Sequence, residues 1–195
     1  MQNSLQNKLR KYNLILASGS PRRQELLKGL AIPFSIKTKE IAEIYPKELE
    51  GAEISTFLSK LKANAFTDLQ KDDLIITADT IVWQNGKALM KPTDKTDAIK
   101  ILQELSGNQH DVFTSVCLKS VSKTLVFSDV TKVFFKKLTN EEITYYIDQY
   151  QPYDKAGAYG AQDWIGYIAI EKLEGSYFNV MGLPVHKLYA ALLEF

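Results

Sequence analysis

The chain has 195 residues, 45% hydrophobic and 24% charged, with 24 Lys plus Arg against 23 Asp plus Glu for a net charge of +1. That is ample apolar material for one domain or two closely packed lobes, and the near balance of charge gives no general basis for binding nucleic acid or a membrane surface, so any anion site must be local. Cys117, the sole cysteine, builds neither a disulfide nor a metal cluster, no stretch reaches membrane-spanning length, and the apolar run LILA is too short for a signal-peptide core. These features lead to the expectation of a cytoplasmic protein.

In chain order, YNLILA reads as a strand, 21 to 29 as a helix closed by Gly29, IPFSIKT as a second strand and 53 to 70 as a longer helix. LIITADTIVWQNGKALMK reads as a hairpin around Asn85-Gly86, the favoured pair for a type I′ turn. Ala98, Ile101, Leu102 and Leu105 then recur at helical spacing before Gly107. HDVFTSVCLKSV and TLVFSDVTKVFF alternate like neighbouring antiparallel strands, with Cys117 in the core. Thr139 and Glu142 have capping-box spacing for a helix to about residue 149, and a last helix begins near Pro184. The elements describe an α/β protein with a mixed sheet, read as a single domain over 1–195.

The stretch LASGSPRRQELL carries an anomaly. Ser20 is a good N-cap and Pro21 suits the first helical position, yet Arg22 and Arg23 place positive charge where the helix dipole disfavours it. A bound phosphate at the helix start, held by backbone N–H groups, the Ser18 and Ser20 hydroxyls and both guanidinium groups, resolves it; a solvated face is the alternative. Asp79 stands in a run otherwise apolar enough to be a buried strand, where a carboxylate must pair, shift its pKa or bind a metal, unless it caps a bend. Glu43, Lys62 and Lys91 taken singly read as surface charges. In YDKAGAYGAQ, Gly157 and Gly160 permit close backbone approach, with Asp154 and Lys155 at its start and Gln162 at its end. His110 and His186 form no metal-ligand spacing, and neither a P-loop nor a Rossmann turn is present.

Taken together, LASGSPRRQELL, ADTIV, the hairpin ending in KP, LSG with its following strand, DKAGAYGAQ and GSYFNVMGLPV closely resemble the Maf family of nucleoside triphosphate pyrophosphatases, over residues 13 to 193. The resemblance implies an inosine-triphosphate-pyrophosphatase-like fold, an elongated, twisted mixed sheet flanked by helices with a central cleft between two lobes. It implies hydrolysis of a nucleoside triphosphate to the monophosphate and pyrophosphate with a divalent cation, Mg²⁺ or Mn²⁺, and a homodimer. Carried over by motif, Asp79 is the catalytic residue. Ser18, Arg22, Arg23, Lys62 and Lys91 bind the substrate phosphates, Glu43 lies in the cleft as a metal ligand, and Asp79 either activates the attacking water or joins Glu43 in holding the metal, two roles the sequence does not separate.

Arg23, Thr80 and Gln162 match the positions of the branch acting on dTTP and UTP, with CTP or a modified pyrimidine nucleotide left open. Thr80 and Gln162 have side chains able to read a base edge. Departures are few: Ala161 replaces a larger aliphatic residue, Asp163 stands where glycine is common, and Ala42 replaces a frequent second acid. A non-catalytic nucleotide-binding regulator of septum formation is the competing reading, since both need the anion site.

Overall fold

A computed structural model describes residues 4–195, so the part of the amino-terminal reading that falls on residues 1–3 lies outside the described residues. The elements follow in chain order as α1 (Ser4–Leu9), β1 (Asn13–Leu16), α2 (Pro21–Lys28), β2 (Ser35–Ile36), α3 (Ala52–Asn64), β3 (Asp73–Gln84) and β4 (Lys87–Leu89). Next come α4 (Lys95–Leu105), β5 (Gln109–Lys119), β6 (Thr124–Phe135), α5 (Asn140–Tyr150), a 3₁₀ turn (Ala156–Ala158), α6 (Trp164–Ala169), β7 (Ile170–Glu174), α7 (Tyr177–Val180) and α8 (Val185–Glu194).

The strands form one mixed seven-stranded sheet in the order β2-β1-β3-β5-β6-β7, with β4 also paired to β3. β1 runs parallel to β2 and β3, and the remaining pairs are antiparallel. The hairpin turn is as expected, with Asn85 and Gly86 at φ of 51° and 75°. Thr139 and Glu142 close a reciprocal capping box on α5. Cys117 is buried.

Two expected elements are shorter. IPFSIKT pairs only through Ile15↔Ser35 and Leu16↔Ile36, so its strand has two residues; β1 ends there and offers no further partner. The helix expected over 53–70 stops at Asn64, because Phe66 turns back to pack against Ile15 and Ile75. The brief elements α1, α6, β7 and α7 are additions that local periodicity does not announce. No helix among the described residues is long and apolar enough to cross a membrane.

Two large apolar clusters sit at the two ends of β3. Leu74, Ile76 and Ala78 pack with Leu27, Leu183, Leu188 and Leu192. Val82 packs instead with Leu102, Val133, Tyr146 and Ile165. Asp79 and Thr80 lie between them, at the centre of the expected cleft.

Candidate active site

The sheet is incomplete where β3 crosses its middle. β1 pairs with β3 only as far as Leu16↔Ile76, and β4 only from Val82↔Leu89 onward. β5 pairs along the other edge, through Ile75↔Lys119 to Trp83↔Asp111. Residues 77–81 therefore have a partner strand on one side only, and a cavity of about 460 Å³ fills the gap. Its walls come from the Ser18–Arg23 segment, Met90 and Lys91 beyond the hairpin, and the segment from Asp154 to Gln162. Gly157 lets that last segment close on the sheet: its φ is +69°, and a Cβ there would lie 2.9 Å from Val82 Cγ2.

Side chains alternate across a strand, so the gap is approached from both faces of β3. Thr77 and Ile81 face α3, the first donating to the Ser59 carbonyl at 2.7 Å and the second packing on Ile54 and Leu58. Asp79, two residues from each, shares that face and meets Lys62 in the last turn of α3. Lys62 Nζ lies 2.6 Å from Asp79 Oδ1 and 2.8 Å from Glu43 Oε1, and Lys91 Nζ lies 3.4 Å from Glu43 Oε2. Four residues that read singly as unconnected form a chain of alternating charge.

Asp79 is paired in register with Ser115 in mid-strand, so it caps no bend, and it is 5% exposed. Burial raises its pKa above the ordinary 3.8 against the opposing pull of Lys62 and Arg23. Its Oδ2 is buried with no hydrogen-bond partner. Glu43 is pushed up by burial, but Lys62 and Lys91 outweigh that and hold it below the usual range.

Thr80 points to the opposite face, where its hydroxyl proton and one of its acceptor positions are taken. Thr114 Oγ1 donates to the Asn179 carbonyl at 2.9 Å, an oxygen that only accepts. Thr80 Oγ1 therefore donates to Thr114 at 3.0 Å and accepts from Arg23 Nη2 at 3.0 Å. Arg23 Nε donates to the Gly182 carbonyl at 2.8 Å. Gly182 holds φ of +104°, which disfavours any side chain, and a Cβ there would stand 3.3 Å from Thr80 Oγ1. The solvated-face alternative fails for Arg23, whose pKa is lowered by burial and raised by Asp79.

The start of α2 follows its expected grammar: Ser20 accepts from the Arg23 N–H, Pro21 stands at the first turn and no acid does. Ser18 Oγ accepts from the Ser20 N–H at 3.3 Å. Arg22 reaches across the cavity mouth to Asp154 Oδ2 at 3.0 Å, and Lys155 holds the other carboxylate oxygen at 2.7 Å. Burial raises the Asp154 pKa, but these two cations bring it below its usual value. Gln162 lines the same cavity. Ser18, Arg22, Arg23, Glu43, Lys62, Asp79, Thr80, Lys91 and Gln162, the nine residues that the resemblance places in the site, thus border one cavity; nothing local in the sequence marks Thr114 and Asn179, which anchor Thr80.

Among the described residues, no cluster of three or more His, Cys, Asp or Glu side chains could hold a metal ion. The carboxylates of Glu43 and Asp79, drawn to one ammonium and with one bare buried oxygen, suit a hard divalent cation. Mg²⁺ commonly takes one or two protein carboxylates and completes its shell with substrate phosphates and water.

Residues 13–195 match the family model described as Maf-like protein. The chain is 52% identical over 189 residues to a dTTP/UTP pyrophosphatase of Flavobacterium johnsoniae, covering 96% of this chain and 97% of that relative. It is 50% identical over 186 residues to a dTTP/UTP pyrophosphatase of Bacteroides thetaiotaomicron, covering 94% and 96%. In fold it is similar to the solved structure of a HAM1 protein from Coxiella burnetii, with a TM-score of 0.52 at 16% identity over 94% of this chain and 100% of that one.

Proposed function

The chain belongs to the Maf-like protein family, and from that premise we propose that it hydrolyses dTTP and UTP to the nucleoside monophosphate and pyrophosphate. The observation that carries the chemistry is the bare, buried Oδ2 of Asp79, set in a sheet gap whose rim carries Arg22, Arg23, Lys62 and Lys91. Two charges 4 Å apart attract by about 4 kcal/mol at an effective dielectric near 20, so a triphosphate entering this rim is held chiefly by charge.

The cations divide by how firmly they are held. Arg23 is fixed by Thr80 and Gly182 and presents its remaining donors without reorganisation. Lys91 and Arg22 are paired to Glu43 and Asp154 at the cavity edge, and exchange those carboxylates for phosphate oxygens when substrate binds. Ser18 and the N–H groups at the start of α2 complete the phosphate cradle. Asp79 orients and deprotonates the water that attacks the α-phosphorus, with Lys62 keeping its carboxylate ionised against burial. Glu43 and Asp79 would hold Mg²⁺ or Mn²⁺, which when bound offsets charge on the departing pyrophosphate. Gln162 reads the base. Thr80 contributes through Arg23, since both its donor and an acceptor position are already used. The reading is of a cytoplasmic homodimer acting on free nucleotides.

A role in binding alone leaves the buried acid beside phosphates unexplained, because a carboxylate there weakens anion binding. The test is a panel of dTTP, UTP, CTP, GTP and 7-methyl-GTP with Mg²⁺ or Mn²⁺, products resolved as monophosphate plus pyrophosphate or diphosphate plus phosphate. Pyrophosphate release from dTTP and UTP, absent in Asp79→Asn, is the expected result. Saturable binding without turnover moves the protein to the regulatory reading.

A further inference from the structure

Gln162 reaches the cavity from the loop that precedes α6, and its amide is not free to turn. Nε2 donates to Asp163 Oδ1 at 3.1 Å, while Oε1 is buried with no partner. A carboxylate only accepts, so the end of the amide facing Asp163 is the NH₂ and the carbonyl is left for a ligand. Asp163 is itself held in place. Tyr146 Oη lies 2.8 Å from Asp163 Oδ2, and Lys155 Nζ lies 3.7 Å from the same oxygen. The Gly160 N–H donates to Tyr146 Oη at 3.1 Å, which leaves the hydroxyl proton for Asp163. Burial, reinforced by the charge of Asp163, pushes the Tyr146 pKa up and keeps it a donor.

We infer that Asp163 is a positioning residue: it sets the hydrogen-bonding sense of Gln162, so that the site selects the imide edge of uracil or thymine over the edge of cytosine. The inference rests on the nucleotide reading above. Uracil presents an N3–H donor beside the O4 acceptor, whereas cytosine presents an N3 acceptor beside a 4-amino donor. An amide able to flip satisfies either by exchanging its ends. Held by a carboxylate, it satisfies one, and its bare Oε1 matches N3–H. Against cytosine in the same pose, two acceptors face each other in a buried place, the situation in which hydrogen-bonding sites discriminate best.

The test is kcat/KM for UTP and CTP with the full chain, Asp163→Asn and Asp163→Ala, with Tm recorded for each. In Asp163→Asn the Tyr146 hydroxyl keeps a carbonyl acceptor, so the new NH₂ turns toward Gln162 and the Gln162 amide inverts. The unsubstituted protein is expected to favour UTP. That preference falls about tenfold in Asp163→Asn and by less in Asp163→Ala, while the products remain monophosphate and pyrophosphate. A purely structural role lowers both nucleotides by one factor, so an unchanged UTP/CTP ratio in both variants overturns the inference. Equal use of CTP and UTP by the unsubstituted protein also overturns it, and leaves the pyrophosphatase reading standing. Failure of the unsubstituted protein to release pyrophosphate from any nucleotide defeats that reading and the inference with it.

Discussion

The two faces of β3 at the sheet gap are built on opposite terms. On the α3 face, Asp79 keeps one oxygen bare and its pKa is displaced upward by burial, with Lys62 shared between two acids. On the other, each hydroxyl from Thr80 to Thr114 has its proton assigned and Arg23 is clamped at two nitrogens. Neighbouring residues of one strand thus differ in kind: a costly, incompletely satisfied acid on one face and a hydrogen-bonded relay that holds Arg23 on the other. A buried carboxylate is tolerated at a functional site because its unmet demand is what the substrate complex satisfies.

Substitutions that exchange these characters have the largest expected effects. Asp79→Asn removes the proposed base and is expected to lower kcat about a thousandfold, measured by pyrophosphate release, with Tm equal to or above that of the parent. The sign follows from the raised pKa: as pH falls through it, the folded state takes up a proton that the unfolded chain does not, so parent stability rises relative to Asp79→Asn. The stability advantage of Asp79→Asn at neutral pH is therefore expected to shrink in acid, as thermal melts across pH would record. The same proton silences the base, so the acid limb of parent kcat/KM lies above the ordinary carboxylate value of 3.8.

On the Thr80 face, Arg23→Lys cannot span both Thr80 and Gly182, and kcat/KM is expected to fall about tenfold to a hundredfold in steady-state kinetics. Gly182→Ala forces a side chain into φ of +104° and is expected to cost about 1–2 kcal/mol in denaturant unfolding, with weaker phosphate binding through Arg23. The smallest effect belongs to the cavity mouth. Asp154→Asn breaks a half-exposed pair with Arg22 and is expected to change stability by less than about 1 kcal/mol, while any change in KM reports on the release of Arg22.

Much of this was legible before folding. The S-G-S-P-R-R start, the Asn85-Gly86 turn and the Thr139 capping box depend on residues adjacent in sequence, and each forms as local chemistry dictates. Asp79 was conspicuous because a carboxylate interrupts an apolar strand. Lys62, Glu43 and Lys91 were not, since a helix lysine and a loop glutamate become one charge chain only when α3 lies across β3. The gap itself depends on where β1 stops and β4 starts, two ends fixed by tertiary pairing. The same holds for Thr114 and Asn179, distant residues joined by register, and for the turn of Phe66 that cuts α3 short.

If the Asp79 face delivers water to the α-phosphorus, hydrolysis of dTTP in ¹⁸O-enriched water must show where that oxygen goes. Label is expected in the thymidine monophosphate, with none in the pyrophosphate. Label in the pyrophosphate would place the attack on the β-phosphorus and contradict the role given to Asp79.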